Sequence, residues 1–353
     1  MIRLSVRFLS AIASAFLFVS ALHAVAQQHV PPAPAAAASP DAQPAVPPQD
    51  QSAPAPGQAA APSAPAPNNP PKFPPVDPTS FTAASPTKET VDAFLRANWG
   101  YDEDRVWQVQ AILKTPVDGV SKVFVYIGDR SGKQQMQGLV FFVLPDGKHI
   151  ITGDQVIEFG DHPFADVRQQ LAEKADGPYR GSASKDLELV EFADFQCPHC
   201  KEAQANMDKL VTDFPKARVV FQNYPIASIH PQSTLAAEYG VCVNKLGGTT
   251  AFFQYAAAVF DGQDGLNSAD GATLTLNSAV VKASLDPTKV AACAADPQVK
   301  AQVEASVKLG TDVGVSQVPM LAINGHEVPA NAPYDVLKKI VLYQAKADGV
   351  SGQ

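Results

Sequence analysis

An α/β fold with a helical insertion, preceded by a smaller α+β domain, is the architecture this sequence predicts. Three observations lead there. Residues 183–350 run strand, helix, strand, a long helical interruption, hairpin and helix. Residues 87–176 run helix, four short β-type segments and helix. Ahead of both lies a leading stretch whose larger, proline-rich part has too little apolar surface to offset the entropy of ordering.

That leading stretch has two parts. "MIRLSVRFLSAIASAFLFVSALHAVAQ" opens with Arg3 and Arg7, continues in an apolar run from Phe8 to Leu22, and reaches a small-x-small signal at Ala24-Val25-Ala26. This is the build of a secretory signal peptide over residues 1–26. Its apolar run is short for a membrane span, although an uncleaved anchor is the alternative. The expected location is periplasmic or otherwise extracytoplasmic, where disulfides persist. From Gln28 to Pro86 stand 18 of the 31 prolines, mixed with Ala, Gln and Ser, so residues 27–86 read as a disordered, semi-extended tether. A net charge of -8 spread along the chain presents no basic stripe and excludes nucleic acid as a partner.

In the first domain, "TKETVDAFLRANW" sets Val91, Phe94 and Leu95 on one helical face. Four β-type runs follow: residues 106–113, 122–127, 138–144 and 148–153, with Pro145-Asp146-Gly147 as the turn between the last two. "PFADVRQQLAEKA" closes the domain as a helix. It contains no cysteine, and His149 and His162 are isolated, so both read as surface residues and the domain as one that positions, binds or dimerises.

In the second domain, "LELVEF" (187–192) reads as a buried strand with an odd acid, Glu191, inside it. Ala203, Met207, Leu210, Val211 and Phe214 keep helical spacing until Pro215 stops the helix. "ARVVFQNY" (217–224) is a second strand, and "PMLAINGHEVP" (319–329) is a hairpin about Asn324-Gly325. Asn331 and Pro333 are expected to start the last helix, "YDVLKKIVLYQ". The interruption, 230–317, is helical by pattern and contains Cys242 and Cys293.

Four cysteines are too few for a disulfide scaffold in a chain this long, so each needs its own account. "FQCPHCKEA" puts Cys197 at the first turn of a helix, where unpaired N–H groups and the macrodipole favour an anion. The thiolate is the reactive species, and that placement lowers a thiol's pKa. Pro198 suits the first turn, and a protonated His199 would add a positive neighbour. Cys200, one turn on, is placed to resolve a mixed disulfide. A metal site needs four ligands, and one Cys-x-x-Cys supplies two. A purely structural disulfide in so small a loop would restrict the unfolded chain little. Redox exchange, with no cofactor beyond the Cys197–Cys200 disulfide itself, is the reading that remains. Cys242 and Cys293 read as a structural disulfide within the insertion, with two free core cysteines as the alternative.

"VEFADFQCPHC", the Val318-Pro319 step and the helical insertion together resemble the DsbA-like branch of the thioredoxin fold, the periplasmic thiol-disulfide oxidoreductases. The likeness spans nearly all of 183–350 and implies a thioredoxin-like fold. It implies that Cys197 attacks, that Cys200 resolves, that Pro319 is a cis-proline facing the pair, and that Val318 offers its backbone to an extended substrate. It also implies a proton-transfer role for Glu191, against which stands an edge-facing, solvated carboxylate. Unfolded or cysteine-containing secreted proteins, and a membrane thiol oxidase or reductase, are the partners it implies. "LPDGKHIITG" (144–153) is similar to the dimerisation domain of the DsbC and DsbG disulfide isomerases, which implies a homodimer through 87–176. Those isomerases usually have Thr before the cis-proline and another dipeptide between the cysteines, whereas this chain has Val318 and Pro198-His199. The expected activity is therefore chiefly that of an oxidase, with isomerase or reductase next, and a non-catalytic secreted binding or chaperone-like module as the alternative of a different class.

Overall fold

The computed structural model describes residues 72–350, apart from 133–134 and 154. The signal peptide expected over 1–26, and the expected tether as far as residue 71, lie outside the described residues. The tether was expected to reach residue 86, and there the structure differs. Pro74 offers its carbonyl to the side-chain amides of Gln108 and Gln110, at 2.8 and 3.1 Å. Asp77 caps a short 3-10 turn, Pro78–Ser80. The N–H groups of Thr82 and Ala83 both donate to the Ile112 carbonyl. Phe81 and Ala83 pack on the first domain's core. Prolines lack a donor but keep an acceptor, and one aromatic ring anchors a segment whose average composition resembles a tether.

Thr87 caps α1 (Lys88–Trp99) by accepting from the Thr90 N–H. The meander that follows has five strands: β1 (Arg105–Lys114), β2 (Ser121–Asp129), β3 (Gln137–Val143), β4 (His149–Thr152) and β5 (Gln155–Glu158). They form one antiparallel sheet in chain order. Val91, Phe94 and Leu95 of α1 meet Val109, Ile112, Val123, Val125, Phe141 and Ile150 in its core. β5 was not expected, because four residues are too few for an alternation to show. On the far face of the sheet Val140, Phe142, Ile151 and Val156 stay exposed, and Phe142, Ile151 and Val156 are cross-strand neighbours. α2 (Ala165–Lys174) leads to the second domain, where Phe164 stacks on His326 at 4.4 Å.

The second sheet also gains a strand, β6 (Tyr179–Gly181), so this domain begins before the expected boundary at 183. Three residues leave no periodic trace. β7 (Glu188–Ala193) and β8 (Arg218–Asn223) are parallel, joined by α3 (Pro198–Asp213). α4 (Ser233–Asp261), α5 (Ala269–Lys282), α6 (Pro287–Ala294) and α7 (Pro297–Asp312) then intervene before β9 (Met320–Ile323), β10 (His326–Pro329) and α8 (Tyr334–Ala347). The strand order is β10-β9-β7-β8-β6, which puts β7 at the centre with all six residues buried. α3 and α8 cover one face through Ala203, Met207, Leu210, Leu337 and Ile340. Leu309 and Val313, at the end of α7, cover the other with Val190 and Phe192. α4 bends where Gly248 takes a positive φ of 76°. Cys242 on α4 and Cys293 on α6 are disulfide-bonded, with Cα atoms 5.9 Å apart. Asn331 does not cap α8: that position is Pro333, without a side-chain bond.

Candidate active site

The end of β7 delivers the chain to the site. Cys197 occupies the N-cap of α3 with extended backbone (φ -79°, ψ 121°), and Pro198 fills the first helical position, where a missing N–H costs nothing. The Cys197 sulfur is largely enclosed, at 6% exposure for the residue. Its pKa is held down to about 6, first by the hydrogen bond from the Cys200 thiol, then by the N–H groups of Cys200 and His199 and by the charge of His230, while burial works against them. Cys200 is fully buried, and burial pushes its thiol far up, with the bond to Cys197 adding to this. The two sulfurs thus differ sharply, one poised as an anion and one held as a thiol. Both cysteines are free.

Facing Cys197 is the step into β9. The Val318-Pro319 peptide is cis, and the Val318 carbonyl lies 3.9 Å from the Cys197 sulfur. β9 runs antiparallel to β7 with Met320 opposite Phe192, which brings this distant segment over the cysteines.

Glu191 lies beneath. It sits in the central strand at 0% exposure, so the solvated-edge alternative does not hold. Gln204 on α3 donates to its Oε1 at 2.8 Å and to the Cys200 carbonyl at 3.2 Å. Oε2 has no hydrogen-bond partner among the described residues. Burial raises the Glu191 carboxyl to about 7, against the nearby Arg180 charge and the Gln204 bond. Arg180 comes from β6, bonds Gln204 and Asp208, and lies 4.5 Å over the Phe253 ring.

A raised carboxyl means that the folded protein binds this proton more tightly than the unfolded chain does. Its stabilising contribution is therefore complete below the unfolded value of 4.5 and is lost as pH rises toward 7. The loss is about 3 kcal/mol at 1.36 kcal/mol per unit. Denaturant titrations from pH 4 to 8 will show the difference in stability between wild type and Glu191→Gln changing by roughly that amount, with the variant lacking the decline. Parallel curves would show that this carboxyl titrates alike in the folded and unfolded chains.

His199, expected as a positive neighbour of Cys197, follows Pro198 on α3. Its ring is 63% exposed and lies 3.0 Å from Glu202, which raises its pKa. It gives Cys197 a backbone N–H, and the Cys197 charge in turn helps to raise the His199 ring. Residues that the sequence did not single out are closer to the chemistry. Asp194 is 1% exposed, accepts from the Gln196 N–H and lies 2.9 Å from the His230 ring. Gln263, in the turn after α4, donates to the carbonyls of Phe195 and Cys197 at 2.9 and 3.0 Å. An acid between two buried aromatics, in "FADFQC", was the one local sign; the partners come from far along the chain. Cys242 and Cys293 stay within the insertion's core and its margin. His149 pairs with Asp146 on the surface of the first domain, and His162 is exposed.

The fold of the second domain is thioredoxin-like. Residues 173–342 match the family model described as thioredoxin. Among curated proteins, the chain is similar to the Na(+)/H(+) antiporter NhaA 3 of Salinispora tropica, at 27% identity over 157 residues, covering 44% of this chain and 22% of that protein. It is also similar to the Na(+)/H(+) antiporter NhaA 1 of Salinispora arenicola, at 37% identity over 59 residues, 17% of this chain and 9% of that one. The chain thus spans less than a quarter of the length of either. Among solved structures it is similar to a thioredoxin-like oxidoreductase from Silicibacter pomeroyi, with TM-score 0.44 and 23% identity over 51% of this chain and 98% of that one. The thiol-disulfide exchange protein alpha-DsbA2 from Wolbachia pipientis gives TM-score 0.44 and 22% identity over 51% and 96%.

Proposed function

We propose that the protein is an extracytoplasmic thiol-disulfide oxidoreductase that exchanges disulfides with cysteine-containing proteins through Cys197 and Cys200, mainly as a disulfide donor. The observation that carries this reading is the split between the two sulfurs: Cys197 is stabilised as an anion at a helix N-terminus and Cys200 is buried as a thiol. A stabilised thiolate favours the reduced form, so the disulfide passes readily to others. In the forward reaction a substrate thiolate attacks the Cys197 sulfur, the Cys197–Cys200 bond breaks, and Cys200 leaves and takes up a proton. Glu191, bonded to Gln204 beneath Cys200, is the buried acid available for that proton. A second substrate thiolate then attacks the substrate sulfur of the mixed disulfide and displaces Cys197 as its favoured thiolate. The substrate loses two electrons and the cysteine pair gains them. The Val318 carbonyl, beside Cys197, is placed to pair with extended substrate backbone. A membrane thiol oxidase would restore the disulfide. The signal peptide expected over residues 1–26 would direct secretion, and among the described residues no helix is long and apolar enough to cross a membrane.

A second reading, a dimeric isomerase, is favoured by one feature. The apolar row Val140, Phe142, Ile151 and Val156 on the first domain is a surface on which a second copy would fit. Equilibration of the cysteine pair against glutathione tests the main reading, together with oxidation of a reduced, unfolded substrate. A potential near the strongly oxidising end, and rapid substrate oxidation, are expected. A thioredoxin-like potential would overturn the donor role. Efficient rescue of scrambled substrate that is lost on deleting 87–176 would replace it with the isomerase.

A further inference from the structure

One residue on the Cys197 loop does more than the exchange reaction requires of it. The buried Asp194 carboxylate accepts three hydrogen bonds: from the Gln196 N–H at 2.7 Å, from the Ile226 N–H at 2.8 Å, and from Nδ1 of His230 at 2.9 Å. Its main chain meets both cysteines. The Asp194 N–H donates to the Cys200 sulfur at 3.3 Å, and its carbonyl accepts from the Cys197 N–H at 3.1 Å. A single residue therefore touches each redox cysteine and, through its side chain, the segment where the helical insertion leaves the sheet. The His230 side chain is 16% exposed, and its own N–H is tied to the Ile226 carbonyl.

A turn before the helix needs only an acceptor such as asparagine. A fully buried carboxylate is costly unless it is paired, and an unpaired one beside Cys197 would oppose a thiolate. The titratable side chains that act on the Cys197 sulfur are Cys200 and His230, with His199 feeling it in return. His199 is turned to Glu202 in solvent, where screening weakens any charge it carries. His230 is enclosed, and its charge contributes to the lowered Cys197 thiol.

We propose that Asp194 and His230 act as a positioning charge pair for Cys197, with Asp194 fixing the loop and holding the His230 ring where its positive charge supports the sulfur anion. Neither residue touches substrate. Since His230 stands at the start of the insertion, the insertion sets the reactivity of the cysteine as well as covering it. This rests on the reading of Cys197 as the attacking sulfur.

The test is residue-resolved alkylation of the reduced protein by iodoacetamide at pH 5.5. His230→Gln keeps a donor for Asp194 but removes the ring's charge. It should slow Cys197 alkylation about tenfold and shift the equilibrium with glutathione about tenfold toward the disulfide, which is roughly 30 mV. The double variant His230→Gln/Asp194→Asn removes both charges and should recover at least half of that loss on a logarithmic scale. A purely structural role gives the opposite, a double variant worse than the single one. In the wild type, the ring nitrogen resonances of His230 should shift between the disulfide and dithiol forms, which needs no variant to fold. Unchanged alkylation in His230→Gln, a double variant worse than the single, or ring signals blind to the redox state would each overturn the pair. Alkylation reports the ionisation of Cys197 whether or not substrates are oxidised, so a failure of the proposed function would leave this result standing.

Discussion

Cys197→Ser will abolish disulfide transfer, by a thousandfold or more on the order of other lost nucleophiles, whereas Cys200→Ser will trap substrate on Cys197. The two outcomes follow from the difference between the sulfurs. Cys197 has its thiol held down to about 6 at the mouth of α3, so near neutral pH it is largely the reactive anion. Cys200 is fully buried and its thiol is pushed far up, so it cannot begin the exchange. A serine at 200 still offers a hydroxyl donor to the Cys197 sulfur, so the anion persists in that variant. What it lacks is a second thiol on the same turn of helix, and with it the effective concentration that makes release intramolecular. Incubating each variant with a scrambled-disulfide protein, quenching in acid and weighing the products will show the adduct on Cys197 in Cys200→Ser and none in Cys197→Ser. An adduct carried by Cys200, or none in either variant, would end the assignment of roles.

The parts of this site that could be read from the sequence are those fixed by local rules. A cysteine, a proline and a helical repeat in sequence place a sulfur at a helix N-cap without knowledge of the rest of the fold. Asn324-Gly325 marks a hairpin in the same way, and both residues take positive φ. Glu191 was visible only as an anomaly; its burial depends on β7 lying at the centre of the sheet, which β8 and β9, pairing on either side of it, decide from outside the motif. Asp194 and His230 were not visible, since their pairing is made when β8 returns beside β7 and brings Ile226 and His230 over the loop. The direction of the His199 imidazole is something sequence adjacency hides. On α3 its side chain faces Glu202 one turn along, where i,i+3 neighbours meet. The end of the tether was misplaced for a related reason: composition describes a segment's average, and Phe81 and Pro74 are bound one at a time.

The Cys242–Cys293 bond is expected to contribute about 4 kcal/mol, the loop-closure value for a separation of 51 residues. The helices it joins explain why the chain would lose so much. α4 carries Cys242 at 0% exposure into a cluster with Phe252, Tyr255 and Val259, and α6, only eight residues long, adds chiefly Val290 and Ala294 to that cluster. A helix of two turns has little stability of its own, so the covalent link holds it where packing alone is thin. The measurement belongs in a Cys197→Ser/Cys200→Ser background, where no active thiol can shuffle the bond. There Cys242→Ala/Cys293→Ala should lower the denaturant midpoint, with the greatest gain in hydrogen exchange over α6. A loss below about 1 kcal/mol would place the insertion's stability in its apolar cluster instead. With the active cysteines restored, the same variant should also alkylate more slowly at Cys197, because Gln263 and His230 hold the active loop from the two ends of α4 and lose their purchase as it loosens.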